Sequence, residues 1–186
     1  MTIREFIIKN VDPSFEGELP FIISEKTFAK NKVISHYGKI EQKIYFLNSG
    51  IVQVAIKHQE EDKILDFFFE NHFFCSYTSL LKQVPSDVEL TALSDCKVQV
   101  IDCFEMKKLH ETSLLTNKLG RILNEKLYLR KVKREKDFLT KSALEMYAEL
   151  LQTNPEITNQ IPLNKIAKYL GIFPESLSRI RKQIVS

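Results

Sequence analysis

No apolar run in the sequence approaches the roughly 18 residues that a membrane-spanning helix requires. Its opening stretch, MTIREFIIKN, lacks the small-residue cleavage site of a secretory signal peptide. Cysteine is scarce: Cys75, Cys96 and Cys103 are odd in number and form no CxxC pair, so buried free thiols are expected rather than a redox or metal centre. The four histidines, His36, His58, His72 and His110, show neither HxH nor HxxxH spacing. A metal built on them would need ligands gathered from distant parts of the fold, and no metal or other cofactor is expected. No nucleophile–base constellation is visible either, which argues against an enzyme. These absences lead to the expectation of a cytoplasmic protein with no membrane partner.

What is present is enough for a packed core: 44% of the 186 residues are hydrophobic and 27% charged. The net charge of +3 hides an asymmetry, because residues 118–186 hold 14 Lys/Arg against 7 Asp/Glu while residues 1–117 hold 13 against 17. A slightly acidic body followed by a basic segment suits a polyanionic partner, although any single part of it is also an ordinary solvated helix surface.

From about Thr27 to Cys103 the chain is a succession of short β-type runs. KIYFLNSGIVQVAIKH reads as strand, Asn-Ser-Gly turn, strand, and CKVQVID alternates Val98 and Val100 with Lys97 and Gln99. Strands at roughly ten-residue spacing with turns between them indicate a barrel or sandwich. The aromatic residues Phe67, Phe68, Phe69, Phe73, Phe74 and Tyr77 either fill that barrel or line a small-ligand site in it.

After Asp102 the period changes. Glu105 to about Lys136 contains no proline and one glycine, and Leu115, Leu119, Ile122, Leu129 and Val132 make an apolar stripe on one long helix. Such a helix outruns a small barrel, so its stripe is expected to meet the same helix of a second copy, the alternative being packing along its own barrel. Ser142 with Glu145 makes a capping box for a further helix. The last segment, IPLNKIAKYLGIFPESLSRIRKQI, begins a helix at Pro162, ends it at Gly171 and opens another at Pro174. Leu163, Ile166, Ala167 and Leu170 on the first helix face Leu177, Ile180 and Ile184 on the second, which is the helix-turn-helix pattern. Glu175, Ser176, Ser178, Arg179, Arg181 and Lys182 are left on the other side, a set suited to base edges and phosphates.

The same segment resembles Crp/Fnr-type transcriptional regulators, most of all their short Bacteroidetes-type members, in its Ile-Pro-Leu, Ile-Ala-x-Tyr-Leu-Gly-Ile and Glu-Ser-Leu-Ser-Arg-Ile-Arg-Lys runs. YFLNSGIVQVAI and ALSDCKVQVID are similar to strands of the family's cyclic-nucleotide-binding β-roll. The resemblance implies an α+β chain: a cupin-like jelly roll over 1–104, a dimerisation helix over 105–137 and a helix-turn-helix DNA-binding domain over 138–186. It implies double-stranded DNA, a second copy, RNA polymerase and a small-molecule effector as partners. By position Glu175 and Arg179 match the family's base-reading acid and arginine, Ser176 and Ser178 backbone or base contacts, and Arg181 and Lys182 phosphate contacts.

Departures from the family pattern are equally informative. Phe173 stands where a Ser or Thr N-cap is usual, and Pro174 where nucleotide-responsive members carry another base-reading arginine. The sequence stops at Ser186, with no residues for the β-wing of longer members. The effector pocket is expected around Phe74, Cys75, Ser76, Ser86 and Asp87, where neither the ribose-binding carboxylate nor the phosphate-binding arginine is found. Cyclic AMP is therefore not the expected effector. An iron–sulfur cluster is not expected either, since residues 1–74 contain no cysteine. A cupin-like ligand-binding protein or enzyme with structural C-terminal helices is the competing interpretation.

Overall fold

The structure, a computed structural model, describes residues 1–59, 61–155 and 157–185. A front helix, α1 (Ile3–Asn10), is followed by strands β1 (Ile23–Phe28), β2 (Val33–Ser35), β3 (Lys43–Ser49), β4 (Val52–His58), β5 (Glu61–Phe68) and β6 (Phe73–Phe74). A short helix α2 (Tyr77–Lys82) leads to β7 (Val88–Ala92) and β8 (Cys96–Asp102). Among the described residues six helices follow: α3 (Cys103–His110), α4 (Leu114–Thr140), α5 (Ala143–Thr153), α6 (Ile157–Gln160), α7 (Leu163–Leu170) and α8 (Pro174–Val185).

The strands form two four-stranded sheets, ordered β1-β8-β3-β6 and β2-β7-β4-β5, with every pairing antiparallel. Period-two alternation turns Leu47, Val52, Val54, Leu90, Val98 and Val100 into the space between the sheets, where they form the roll's own core. The opposite faces are covered as well. Ile3, Phe6 and Ile7 of α1 pack with Phe46, Ile101 and Leu119 outside the first sheet. Buried Gln99 of β8 holds α1 there by accepting from the Ile3 N–H at 2.7 Å. Outside the second sheet, Ile64 and Phe67 join Tyr147, Ile166, Leu170 and Leu177 of the C-terminal helices. The aromatic run is thus divided among three clusters: Phe68 and Phe74 lie inside the roll, Phe73 packs toward α1, and Phe67 and Phe69 face the C-terminal helices.

The single long helix expected from Glu105 is two helices. Asp102 caps α3 by accepting from the Phe104 and Glu105 N–H groups at 2.8 and 3.4 Å, and Ser113 caps α4 by accepting from Thr116. Thr116 Oγ1 reaches back to the Leu109 carbonyl at 2.8 Å and fixes the bend. At Gly120 the two helices approach so closely that a Cβ would lie 2.9 Å from the His110 ring.

The apolar stripe of α4 also needs correction. Leu119 is completely buried inside its own chain, flanked by half-buried Leu115 and Leu123, and so offers nothing to a second copy. Ile122 and Val132 are half-buried, while Leu129, Tyr128 and Leu139 are largely exposed. A straight helix with 3.6 residues per turn drifts out of a three- and four-residue stripe, so one row of leucines serves two faces.

The Asn48-Ser49-Gly50 turn depends on its glycine. Gly50 has φ +103°, and a Cβ on it would stand 2.6 Å from the Asp95 carbonyl oxygen and 2.7 Å from Cys96 Sγ. Gly50→Ala is expected to lower unfolding stability by about 1–3 kcal/mol in urea titrations followed by circular dichroism.

Candidate functional site

The C-terminal pair is built on local signals. Helix α7 ends where Gly171 takes φ +71° and its N–H returns to the Ala167 and Lys168 carbonyls. Ala167 is fully buried, which lets α8 cross closely. Pro174 opens α8, and the Phe173 carbonyl accepts from the Ser176 and Leu177 N–H groups at 3.1 and 3.2 Å. Leu177 is fully buried and Ile180 partly so. Ile184, expected on the buried side, is instead 41% exposed in the last turn of α8.

Glu175, Ser178, Arg179, Arg181 and Lys182 are exposed and Ser176 is half-buried. Glu175, Ser178, Arg179 and Lys182 lie away from Leu177, whereas Arg181, four residues after Leu177, lies on its side and lines a pocket with Ile161 and Ile166. Glu175 is the one acidic residue of α8, and it shares the outward surface with the cations Arg179 and Lys182. Phe173 stands 78% exposed at the head of that surface, where it supplies no side-chain hydrogen bond to the helix end. All six residues singled out on this helix therefore lie on one element, with Arg181 alone on the side of the anchoring Leu177.

Sequence reasoning missed how the pair is fastened to the roll. Arg130 of α4 binds Asp66 of β5 through two hydrogen bonds of 2.7 and 2.8 Å and also donates to the Phe67 carbonyl at 2.7 Å. Burial works against the Arg130 charge, and the hydrogen bonds and charge of Asp66 outweigh it, so its pKa is raised. One turn on, the Arg134 guanidinium lies 3.6 Å from the centre of the Tyr169 ring and donates to the Tyr169 carbonyl. The Phe67 and Tyr169 rings are 5.0 Å apart, and Lys165 Nζ donates to Gln53 Oε1 at 2.6 Å. Lys133 and Lys141 meet Asp137 and Glu149 at 2.5–2.7 Å, tying α4 to α5. The i, i+4 spacing of Arg130 and Arg134 was visible in the sequence, but their partners lie far away in it.

A cleft of about 520 Å³ lies between the first sheet, α1, α2 and α4. Phe74 and Cys75 line it, whereas Ser76, Ser86 and Asp87 do not. Ser76 and Ser86 are buried and joined Oγ to Oγ at 2.6 Å, with Ser86 also bonded to the Val88 carbonyl, and Asp87 is exposed. The buried Glu41 uses Oε1 to accept from the Gln42 and Lys43 N–H groups, and among the described residues its Oε2 has no hydrogen-bond partner. Burial, and next the Glu41 carboxyl, push the Cys75 thiol well above its ordinary pKa. His72 is shifted the other way, lowered first by burial and next by Arg130. The expected effector residues thus split. Two face the cleft, two satisfy each other, and one faces solvent.

Residues 25–113 match the cyclic nucleotide-binding domain family. That stretch is similar to a domain of this class, and it folds as an antiparallel β-roll followed by helices. No curated protein matches the sequence. Among solved structures, FixK2 from Bradyrhizobium japonicum superposes with a TM-score of 0.72 at 17% identity, over 88% of this chain and 84% of its own. The c-di-GMP responsive global regulator CLP of Xanthomonas campestris gives 0.68 at 13%, over 87% and 86%. A putative transcriptional regulator of the crp/fnr family from Eubacterium rectale gives 0.68 at 17%, over 96% and 82%. At these identities the likeness is one of fold, and it extends from the roll through the C-terminal helices. It agrees with the resemblance to Crp/Fnr-type regulators carried by the sequence. Among the described residues no helix is long and apolar enough to cross a membrane.

Arg134→Ala removes a ring contact and a charged hydrogen bond between α4 and α7. It is expected to cost about 1.5–3 kcal/mol and to raise amide exchange in residues 163–185 more than in β3 and β8, measured by hydrogen–deuterium exchange.

Proposed function

We propose that the protein is a homodimeric, sequence-specific DNA-binding transcription regulator of the Crp/Fnr type, cytoplasmic and without catalytic activity. The observation that carries this reading is the α7–α8 pair. Its second helix is anchored by Leu177 and Ile180 and presents Glu175, Ser178, Arg179 and Lys182 outward, with Arg181 exposed at the edge toward α7, behind a β-roll similar to cyclic nucleotide-binding domains. A helix so mounted fits the major groove of double-stranded DNA. Arg179 is the candidate for bidentate guanine contact and Glu175 for a cytosine amino group. Ser176 and Ser178 contact backbone or bases, and Arg181 and Lys182 hold phosphates.

Dimerisation rests on the outer side of α4. Ile122, Leu129, Val132 and Leu139 recur at steps of seven, three and seven, a coiled-coil seam distinct from the face that buries Leu119. A symmetric pair of such helices places two copies of α8 on two half-sites. RNA polymerase is the further partner that this class of regulator implies. The effector is not cyclic AMP: an acidic Asp87 and a closed Ser76–Ser86 pair occupy the region where a phosphate-binding arginine would be needed.

Binding to the DNA upstream of the protein's own gene is expected to fall steeply with salt, with a slope of about −0.9 per phosphate neutralised. Arg179→Ala is expected to reduce the preference for that DNA over random sequence by about 5- to 150-fold while the dimer persists. Equal affinities of wild type and mutant for both DNAs in fluorescence anisotropy would remove Arg179 from base reading. Replacing Leu129 and Leu139 together by Asp is expected to yield monomers in sedimentation velocity at micromolar concentration, with the circular dichroism of the β-roll unchanged.

A further inference from the structure

The walls of the 520 Å³ cleft define a ligand chemistry of their own. Phe68, Phe74 and Leu80 on one side, with Leu123 and Leu127 on the other, make its interior mainly apolar, and among the described residues no carboxylate lines it. Three cations do. Arg130 is committed to Asp66, and Lys133 to Asp137 and Glu149. Lys126 is different. Its Nζ donates to Asn10 Oδ1 at 3.1 Å and sits 5.3 Å from the centre of the Phe6 ring, with no carboxylate partner among the described residues. The cleft therefore combines a mainly apolar body with one uncompensated positive charge at an exposed residue. A cavity of this size suits a small organic ligand, and the single charge calls for a single opposite one.

We propose that this cleft binds an amphipathic monoanion, an alkyl or aryl carboxylate. Its apolar part lies among Phe68, Phe74, Leu123 and Leu127, and its carboxylate meets Lys126 Nζ. The proposal deepens the reading of the protein as a regulator by naming the effector class, and its role as an effector rests on that reading; the binding itself does not. The location is suited to signalling. Arg130 borders the cleft and holds Asp66 and the Phe67 carbonyl, and Phe67 in turn touches Tyr169 of α7. An occupant that displaces Arg130 acts directly on the junction with the helix pair.

The test is calorimetric titration of the full chain with dodecanoate, dodecanol and dodecyltrimethylammonium, in the absence of DNA. Dodecanoate is expected to bind saturably, at one per chain, and more tightly than either other ligand. Lys126→Met is expected to weaken dodecanoate about tenfold and leave dodecanol unchanged, while Lys126→Arg restores the carboxylate preference. Leu127→Trp, which fills the cleft, is expected to abolish both, with thermal melting of each variant reported alongside. Equal affinity for dodecanoate and dodecanol, or indifference to Lys126→Met, overturns the assignment. So does the absence of saturable binding below about 1 mM for every carboxylate from octanoate to hexadecanoate. DNA binding is measured separately, so loss of one property with retention of the other shows which of the two readings has failed.

Discussion

The junction of Arg130 with Asp66 and the Phe67 carbonyl holds this architecture together. It lies where the β-roll, the long helix and the C-terminal helix pair meet. A planar guanidinium with five donors can satisfy a carboxylate bidentately and still reach a main-chain oxygen, which an ammonium cannot do in the same geometry. The pair is partly buried, with 30% and 24% of the side chains exposed, so its attraction is less screened than at an open surface while its desolvation cost stays moderate. The ring of Phe68 lies 4.7 Å from the guanidinium centre and supports it from the roll interior.

From this junction three packing problems are solved in sequence. The strands bury one face between the sheets; each outer face is then apolar enough to need its own cover. On one side α1, α3 and the start of α4 supply it, and on the other the helices after Ser142 do. The C-terminal pair is thus docked on the β-roll through a hydrophobic cluster as well as by charged contacts. A change in the cleft and a change in the presentation of α8 share the residues between Arg130 and Tyr169. The proposed ligand site and the proposed DNA surface are linked by packed side chains.

The elements with local signals were legible in advance. Gly50 and Gly171 both take positive φ, because only a residue without Cβ fits those turns cheaply. The Ser142–Glu145 capping box forms as its spacing requires, with Ser142 N–H donating to the glutamate at 2.8 Å. The break between α3 and α4 was less legible. A leucine-rich stripe continues across it, and the interruption depends on polar side chains, Asp102, Ser113 and Thr116, competing for backbone groups. The front helix α1, whose Ile3, Phe6 and Ile7 face inward, was overlooked, since eight residues give too short a window for a periodic signal.

By itself the sequence determined the class of fold, the helix pair at its end and the residues on the outward side of α8. These follow from period, turn chemistry and charge, which act over a few residues. Only the tertiary structure decided that Leu119 serves the interior and not a partner, that Ser76 and Ser86 close on each other, and that Lys126 has no carboxylate partner among the described residues beside an apolar cleft. Each of those outcomes depends on which side chain the folded chain brings against a given group. Asp66 takes Arg130 from 64 positions away, and no local pattern records that choice.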